Sequence, residues 1–149
     1  RLARLRAESA IPRTGFGKLQ GRLPRPVEGA VVEVPFGRVV NARFHTVTHH
    51  NGVDLRVHEG AEVRAVAKGE VAWAGWFRGY GNLVILDHGD GFHTLYAHLA
   101  AVAVQKGATV ETGDLLGLVG DTGSLKGAYL YFEIRAGGKP QDPMRWFTD

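Results

Sequence analysis

With seven histidines and no cysteine, imidazole, carboxylate and phenol are the side chains available for metal or acid–base chemistry. In the stretch HHNGVDL, His50 and Asp54 are four residues apart. On a strand this even spacing turns both side chains to one face, where they could grip one ion. That is half of a zinc site, although a single H-x-x-x-D also arises often by chance. Further along, TLYAHL places Tyr96 and His98 on one face of a strand and Leu95, Ala97 and Leu99 on the other. A histidine so placed is commonly just a polar strand residue. GAYLYFEIR repeats the pattern, with Tyr129, Tyr131 and Glu133 sharing a face opposite Leu130, Phe132 and Ile134. The apolar trio marks core. The two phenols are either ordinary half-exposed sheet residues, for which tyrosine is favoured, or the floor of a groove.

The elements that must hold these groups are short and extended. From Val27 onward, alternating runs such as GVDLRVHEG, AEVRAVAKGEVAWAGW, GNLVILDHGDGFHTLYAHL and AYLYFEIR are separated by glycine. No helical period survives beyond two turns. Many short strands with Gly and Asp-Gly punctuation predict an antiparallel all-β fold, a sandwich or barrel-like sheet. Asp90-Gly91 is expected to form a tight hairpin between two apolar runs. A faint echo, Gly60-Ala61-x-Val63 against Gly107-Ala108-x-Val110, marks two turns that feed strands. It also raises a biotinyl or lipoyl carrier domain, but Lys68 in VAKGEV lacks the flanks of a modified lysine and reads as a turn residue.

The 149 residues are 44% hydrophobic and 22% charged, enough for one buried core. Lacking cysteine, the chain has no disulfides or thiolate metal sites, though this does not choose a compartment. No apolar run reaches the ~18 residues a membrane helix needs. The basic balance is local. Residues 1–26 hold seven basic residues against one acidic, a net +6, and residues 27–149 hold eleven against fourteen, a net −3. A mildly acidic folded part argues against nucleic acid as a partner. In the tail, RLARLRAESAIP spaces Leu2 and Leu5 like the end of a longer helix, such as a coiled coil, that Pro12 stops. A frayed terminus is the alternative. The Gly- and Pro-rich RTGFGKLQGRLPRPVEG then reads as a linker, so the expected division is a tail and linker at 1–26 and a domain at 27–149.

Taken together, HNGVD, GAEVRAVAKGEVAWAG, GYGNLVILDHGDGFHTLYAHL, VQKGATVETGDLLGLVGDTG and FEIRAGGKPQDPMRWF resemble, in order and spacing, the LytM-like or lysostaphin-like zinc peptidoglycan endopeptidases. The resemblance runs from about Pro26 to Trp146. It implies an antiparallel β fold with a long central groove. In the family, the groove's zinc is bound by the His and Asp of H-x-G-x-D and by the second His of a terminal H-L-H. Carried over, His50 and Asp54 match two ligands and His98 matches a catalytic histidine. H-L-H, however, aligns with Tyr129-Leu130-Tyr131. A phenol with pKa ~10 must lose a proton to bind zinc well, whereas imidazole offers a neutral nitrogen at pH 7. Two remaining ligands make a poor site, and Tyr129 is a weak base at neutral pH. The resemblance therefore implies a degenerate branch with no catalytic residues and His98 vestigial. His50 and Asp54 would be a vestigial metal pair without zinc at full occupancy.

Degenerate members of this family act in the bacterial periplasm or envelope as activators of cell-wall amidases at division. The expected partners are thus an amidase and, secondarily, peptidoglycan. The groove expected to bind the amidase comprises His50, Asp54, His98, Tyr129 and Tyr131, with Trp76, Phe77, Arg78 and Tyr80 at its rim, since aromatics and arginine are the usual anchors of such surfaces. A competing reading makes Trp73 a core residue and Trp76 to Tyr80 merely the closure of a hairpin.

Overall fold

The computed structural model describes residues 15–148, so the helix read over residues 1–10 lies outside the described residues. Twelve strands follow one another among them: β1 (Val31–Val34), β2 (Gly37–Asn41), β3 (Thr46–His50), β4 (Val53–Arg56), β5 (Glu62–Arg64), β6 (Gly69–Phe77), β7 (Gly81–Asp87), β8 (Phe92–Val102), β9 (Thr109–Val110), β10 (Leu115–Val119), β11 (Leu130–Ala136) and β12 (Lys139–Gln141). Ten form one branched sheet along the path β1-β4-β11-β8-β7-β6-β9, with β12 on β11 and β5 joined through β10 to β8. β2 and β3 form a separate hairpin. All these strand pairs are antiparallel, as the punctuated alternation predicts. No helix among the described residues is long and apolar enough to cross a membrane.

Turn chemistry places the strands. β7 and β8 are joined through Asp90 and Gly91, both in the left-handed region at φ 55° and 83°, the conformation a tight hairpin requires and Asp-Gly supplies. Gly60 and Gly107, the two ends of the sequence echo, take φ 91° and 92° just ahead of β5 and β9. Lys68 lies just before β6, with Nζ 3.8 Å from Glu111.

One face of the sheet carries the main core. Leu130, Phe132 and Ile134 of β11 are fully buried there with Val53, Leu55, Tyr96, Leu99 and Leu116, so the period-2 reading of β11 holds. The stretch read as a linker packs onto this core. A 3-10 turn at Phe16–Leu19 buries Phe16 against Phe92 and Trp146. Leu23 is equally buried, with its N–H donating to Trp146 O. Apolar side chains inside a Gly/Pro-rich stretch are anchors, and here the stretch belongs to the domain it leads into.

The second face carries a smaller apolar cluster of Leu83, Leu95 and Ala97, flanked by Trp73, Tyr80, Ile85 and Tyr131. Here one expectation fails. Tyr96 and His98 do not share a face. β8 pairs Asn82 with Leu99 but Val84 with Tyr96, so Leu83 alone opposes both Ala97 and His98. This bulge sets His98 at φ 65°. It leaves Tyr96 and Leu99 in the main core and turns Ala97 and His98 together toward the second face.

Candidate functional site

The site is assembled from three adjacent strands. Tyr131 of β11 pairs with Asp54 of β4 on one side and with Ala97 of β8 on the other, and directly opposed strand residues share a face. The β8 bulge adds His98 to this row, and the bend at Asn51–Gly52 folds His50 back onto it. A Cβ on Gly52 would lie 2.3 Å from the Phe132 carbonyl oxygen, so only glycine lets this bend sit so close against β11. His50, Asp54, His98, Tyr129 and Tyr131 therefore converge. The ring centroids of His50 and Tyr131 are 5.4 Å apart, those of His98 and Tyr129 4.8 Å, and those of His98 and Tyr131 6.4 Å.

Each of these groups is already engaged within the chain. His50 Nε2–H donates to Asp54 Oδ1 at 2.9 Å. The other oxygen of Asp54 accepts from Lys126 Nζ at 2.6 Å. His98 Nδ1–H donates to the Thr122 carbonyl at 2.7 Å, and its Nε2 accepts from the Tyr129 hydroxyl at 2.9 Å. Tyr131 donates its hydroxyl proton to Glu133 Oε2 at 2.5 Å. Glu133 is itself fully buried, and its second oxygen accepts from Arg135 Nε at 2.6 Å. The tyrosines are thus proton donors to neighbours that hold them in place.

The electrostatics reinforce that assignment. Burial, then the Glu133 carboxylate, push the Tyr131 phenol far above its ordinary range. Burial and the nearby Asp54 charge also raise Tyr129. Burial opposes the charge on Lys126, but Asp54 and Glu33 together outweigh it and hold the ammonium's pKa above its usual value. Glu133 is the first cause of the raised pKa of Arg135.

The groups that would have to ligate zinc are turned to partners within the chain. A ligand must present an unprotonated donor atom. Here the Tyr131 proton is held by burial and by Glu133, and Asp54 is committed to His50 and Lys126. Among the described residues no group of three or more His, Asp or Glu side chains is arranged to hold a metal ion.

The rim residues divide. Trp73, Phe77, Tyr80 and Tyr131 form a continuous aromatic run, with successive centroids 5.6, 5.9 and 6.1 Å apart. Phe77, Tyr80 and Arg135 border an open groove of about 300 Å³, with Leu83, Ile85 and Leu95 beneath. Trp76 is 60% exposed and stands on the alternate side of β6, outside this run, and Arg78 is exposed at the tip between β6 and β7. Trp73 belongs to the groove-side cluster instead of the main core, its Nε1–H donating to Gly75 O. A larger hollow, about 560 Å³, lies between residues 24–28 and 60–65 and is lined by His58, with neither His50 nor His98 among its lining residues. It mixes charges of both signs, and its Arg64 guanidinium is bound to Glu62 and Gly113.

Lys126, Glu33 and Arg135 were not singled out by the sequence. Lys126 sits in a loop without periodicity and Glu33 on an edge strand 93 residues away, so only tertiary structure joins them. Glu133 was placed on the correct face, but its role as acceptor for Tyr131 had no sequence signal beyond that alternation.

Residues 48–143 match peptidase family M23. The chain belongs to this family. It is 39% identical over 113 residues to the DD-carboxypeptidase/endopeptidase Mpg of Neisseria meningitidis, an alignment covering 76% of this chain and 26% of that protein. It is 34% identical over 140 residues to the murein hydrolase activator EnvC of Escherichia coli, covering 93% of this chain and 32% of that protein. Among solved structures, a zinc-containing peptidase from Vibrio cholerae superposes with a TM-score of 0.76 at 29% identity, over 84% of this chain and 40% of the other. The chain therefore spans about a quarter to a third of the length of these two curated relatives. Its all-β architecture is that of this family.

Proposed function

We propose that this domain is a non-catalytic M23 domain of the bacterial periplasm or envelope that binds a cell-wall amidase and activates it during peptidoglycan remodelling at division. The observation that carries this reading is the occupied state of the groove floor. Both tyrosines at the positions that the family resemblance gives to histidines are locked as hydrogen-bond donors, to His98 and Glu133. Each oxygen of the Asp54 carboxylate accepts one hydrogen bond, from His50 and from Lys126. The polar groups of the floor are thus turned toward one another, and the groove keeps an aromatic wall and a partly exposed rim suited to an amphipathic segment of a protein partner. Similarity to a protein named as a murein hydrolase activator, over most of this chain, supports the same reading.

A second reading, a zinc endopeptidase with an altered ligand set, is favoured by the similarity to proteins named as an endopeptidase and as a zinc-containing peptidase. A passive cell-wall-binding module is the third. Zinc content after equilibrium dialysis, digestion of sacculi by the domain alone, and digestion by amidase with and without the domain separate them. The activator reading expects no stoichiometric zinc, no products from the domain alone and faster digestion by the amidase. Tight one-to-one zinc that is lost in His50→Ala would overturn it. Binding to muropeptides with no effect on any amidase would select the passive module.

A further inference from the structure

The cation contacts of Asp54 have an unusual source. Lys126 Nζ lies 2.6 Å from Asp54 Oδ2 and 2.5 Å from Glu33 Oε1, and 4.4 Å from the Tyr129 ring centroid. Glu33 is held from its other side by the Arg56 guanidinium at 2.7 Å. One ammonium thus bridges two carboxylates and an aromatic face at the His50–Asp54 pair. An exposed lysine pair would contribute little, but the Asp54 side chain is only 6% exposed. A carboxylate that buried needs a compensating charge.

The segment carrying Lys126 is built to deliver it. Thr122 Oγ1–H donates to Leu99 O at 2.7 Å and accepts from Asn82 N–H at 3.1 Å. The Thr122 carbonyl, which accepts from His98, sits so close to Gly81 that a Cβ there would be 2.0 Å away. Ser124 Oγ–H donates to Gly127 O and accepts from Lys126 N–H. The loop is pinned at both ends of the lysine, on the β7–β8 side and next to β11.

We propose that Lys126 is the resident cation of this groove, taking the Asp54 oxygen that a divalent metal would need, so that the site excludes metal by charge as well as by its missing third ligand. This inference rests on the non-catalytic reading above and extends it. Tyr131 in place of the third ligand removes a donor, but the lysine also puts a positive charge where a dication would have to enter. A metal could bind only after the ammonium gave up Asp54, against like-charge repulsion at a few ångströms.

The consequence is that restoring histidines is not enough. Zinc binding would be measured by calorimetry on wild type, Tyr129→His/Tyr131→His, and the same double variant carrying Lys126→Met, each checked for folding by circular dichroism. The triple variant should bind zinc one-to-one at least ~100-fold more tightly than the double variant. A second, metal-free measurement uses Lys126→Met and Asp54→Asn singly and together. Each single change should lower Tm, and the two together should lower it by less than the sum, because the first already breaks the contact that the second removes. Equal zinc affinity in the double and triple variants, including no binding by either, or strictly additive Tm shifts, would overturn the role of Lys126. Stoichiometric zinc on the wild-type protein would overturn both this role of Lys126 and the non-catalytic reading on which it rests, whereas equal affinities of the double and triple variants overturn the role of Lys126 alone.

Discussion

At the scale of single residues, the groove floor is a set of donors matched to acceptors, and this changes what mutations report. Tyr131 supports Glu133, a carboxylate with no solvent exposure, so Tyr131→Phe keeps the ring and removes one of the hydrogen bonds on a buried charge. It should cost about 1–3 kcal/mol in urea unfolding, whereas a purely space-filling role for Tyr131 would leave stability nearly unchanged. Tyr131→Ala would combine that loss with a void and is a poor probe of docking. Phe77 and Arg78 are cleaner, since both are exposed. Phe77→Ala should weaken amidase binding by about 2 kcal/mol or more if Phe77 is an anchor, with Tm little changed. Arg78→Glu should act chiefly on association rate and its salt dependence. Surface plasmon resonance at two ionic strengths, with thermal unfolding of the same proteins, checks both. Undiminished binding by both variants would move the docking surface away from this rim.

At the scale of elements, the sequence disclosed what is periodic and concealed what depends on a break in period. The faces of β11 were legible because Leu130, Phe132 and Ile134 alternate strictly with Tyr129, Tyr131 and Glu133 over an unbroken strand. The faces of β8 were not, because one bulge at Ala97–His98 reverses everything before it relative to everything after it, and nothing in TLYAHL signals a positive φ at histidine. Phe16 and Leu23 were hidden by a Gly/Pro-rich composition that usually means linker. Lys126 and Glu33 were hidden because loop and edge positions carry no pattern. Phe16 also stacks on His88 at 4.5 Å between centroids, the fully buried histidine that follows β7. His88 Nδ1–H donates to Lys68 O at 2.8 Å, and Nε2 lies 2.7 Å from the Thr94 hydroxyl. Burial lowers its pKa from 6.5 to about 4. The unfolded chain therefore takes up this proton while the native fold refuses it, and stability should fall as pH drops from about 6.5 to about 4. The loss should reach about 3 kcal/mol at most, with no contribution from this group above that window. Urea unfolding at pH 7 and near pH 4.5 should show the decline in the wild type and a flatter profile in His88→Gln. Parallel profiles would mean that other groups set the dependence.

At the scale of the molecule, one branched sheet separates two environments. Its first face is a continuous apolar core closed by Phe16, Leu23, Trp146 and Phe147. Its second face is a groove whose floor is polar, charged and internally satisfied at one end, and aromatic and open at the other. Here these polar groups are pointed at each other, and in the proposed function they give the groove a fixed shape for a partner to read. That account is tested most directly on sacculi. The domain, equilibrated beforehand with zinc, is incubated with them alone, then together with each cell-wall amidase of the same bacterium, and released muropeptides are followed over time. The expected result is no release by the domain alone and a several-fold faster release by one amidase when the domain is present. Release of cross-link cleavage products by the domain alone, or an unchanged rate with every amidase, would contradict it.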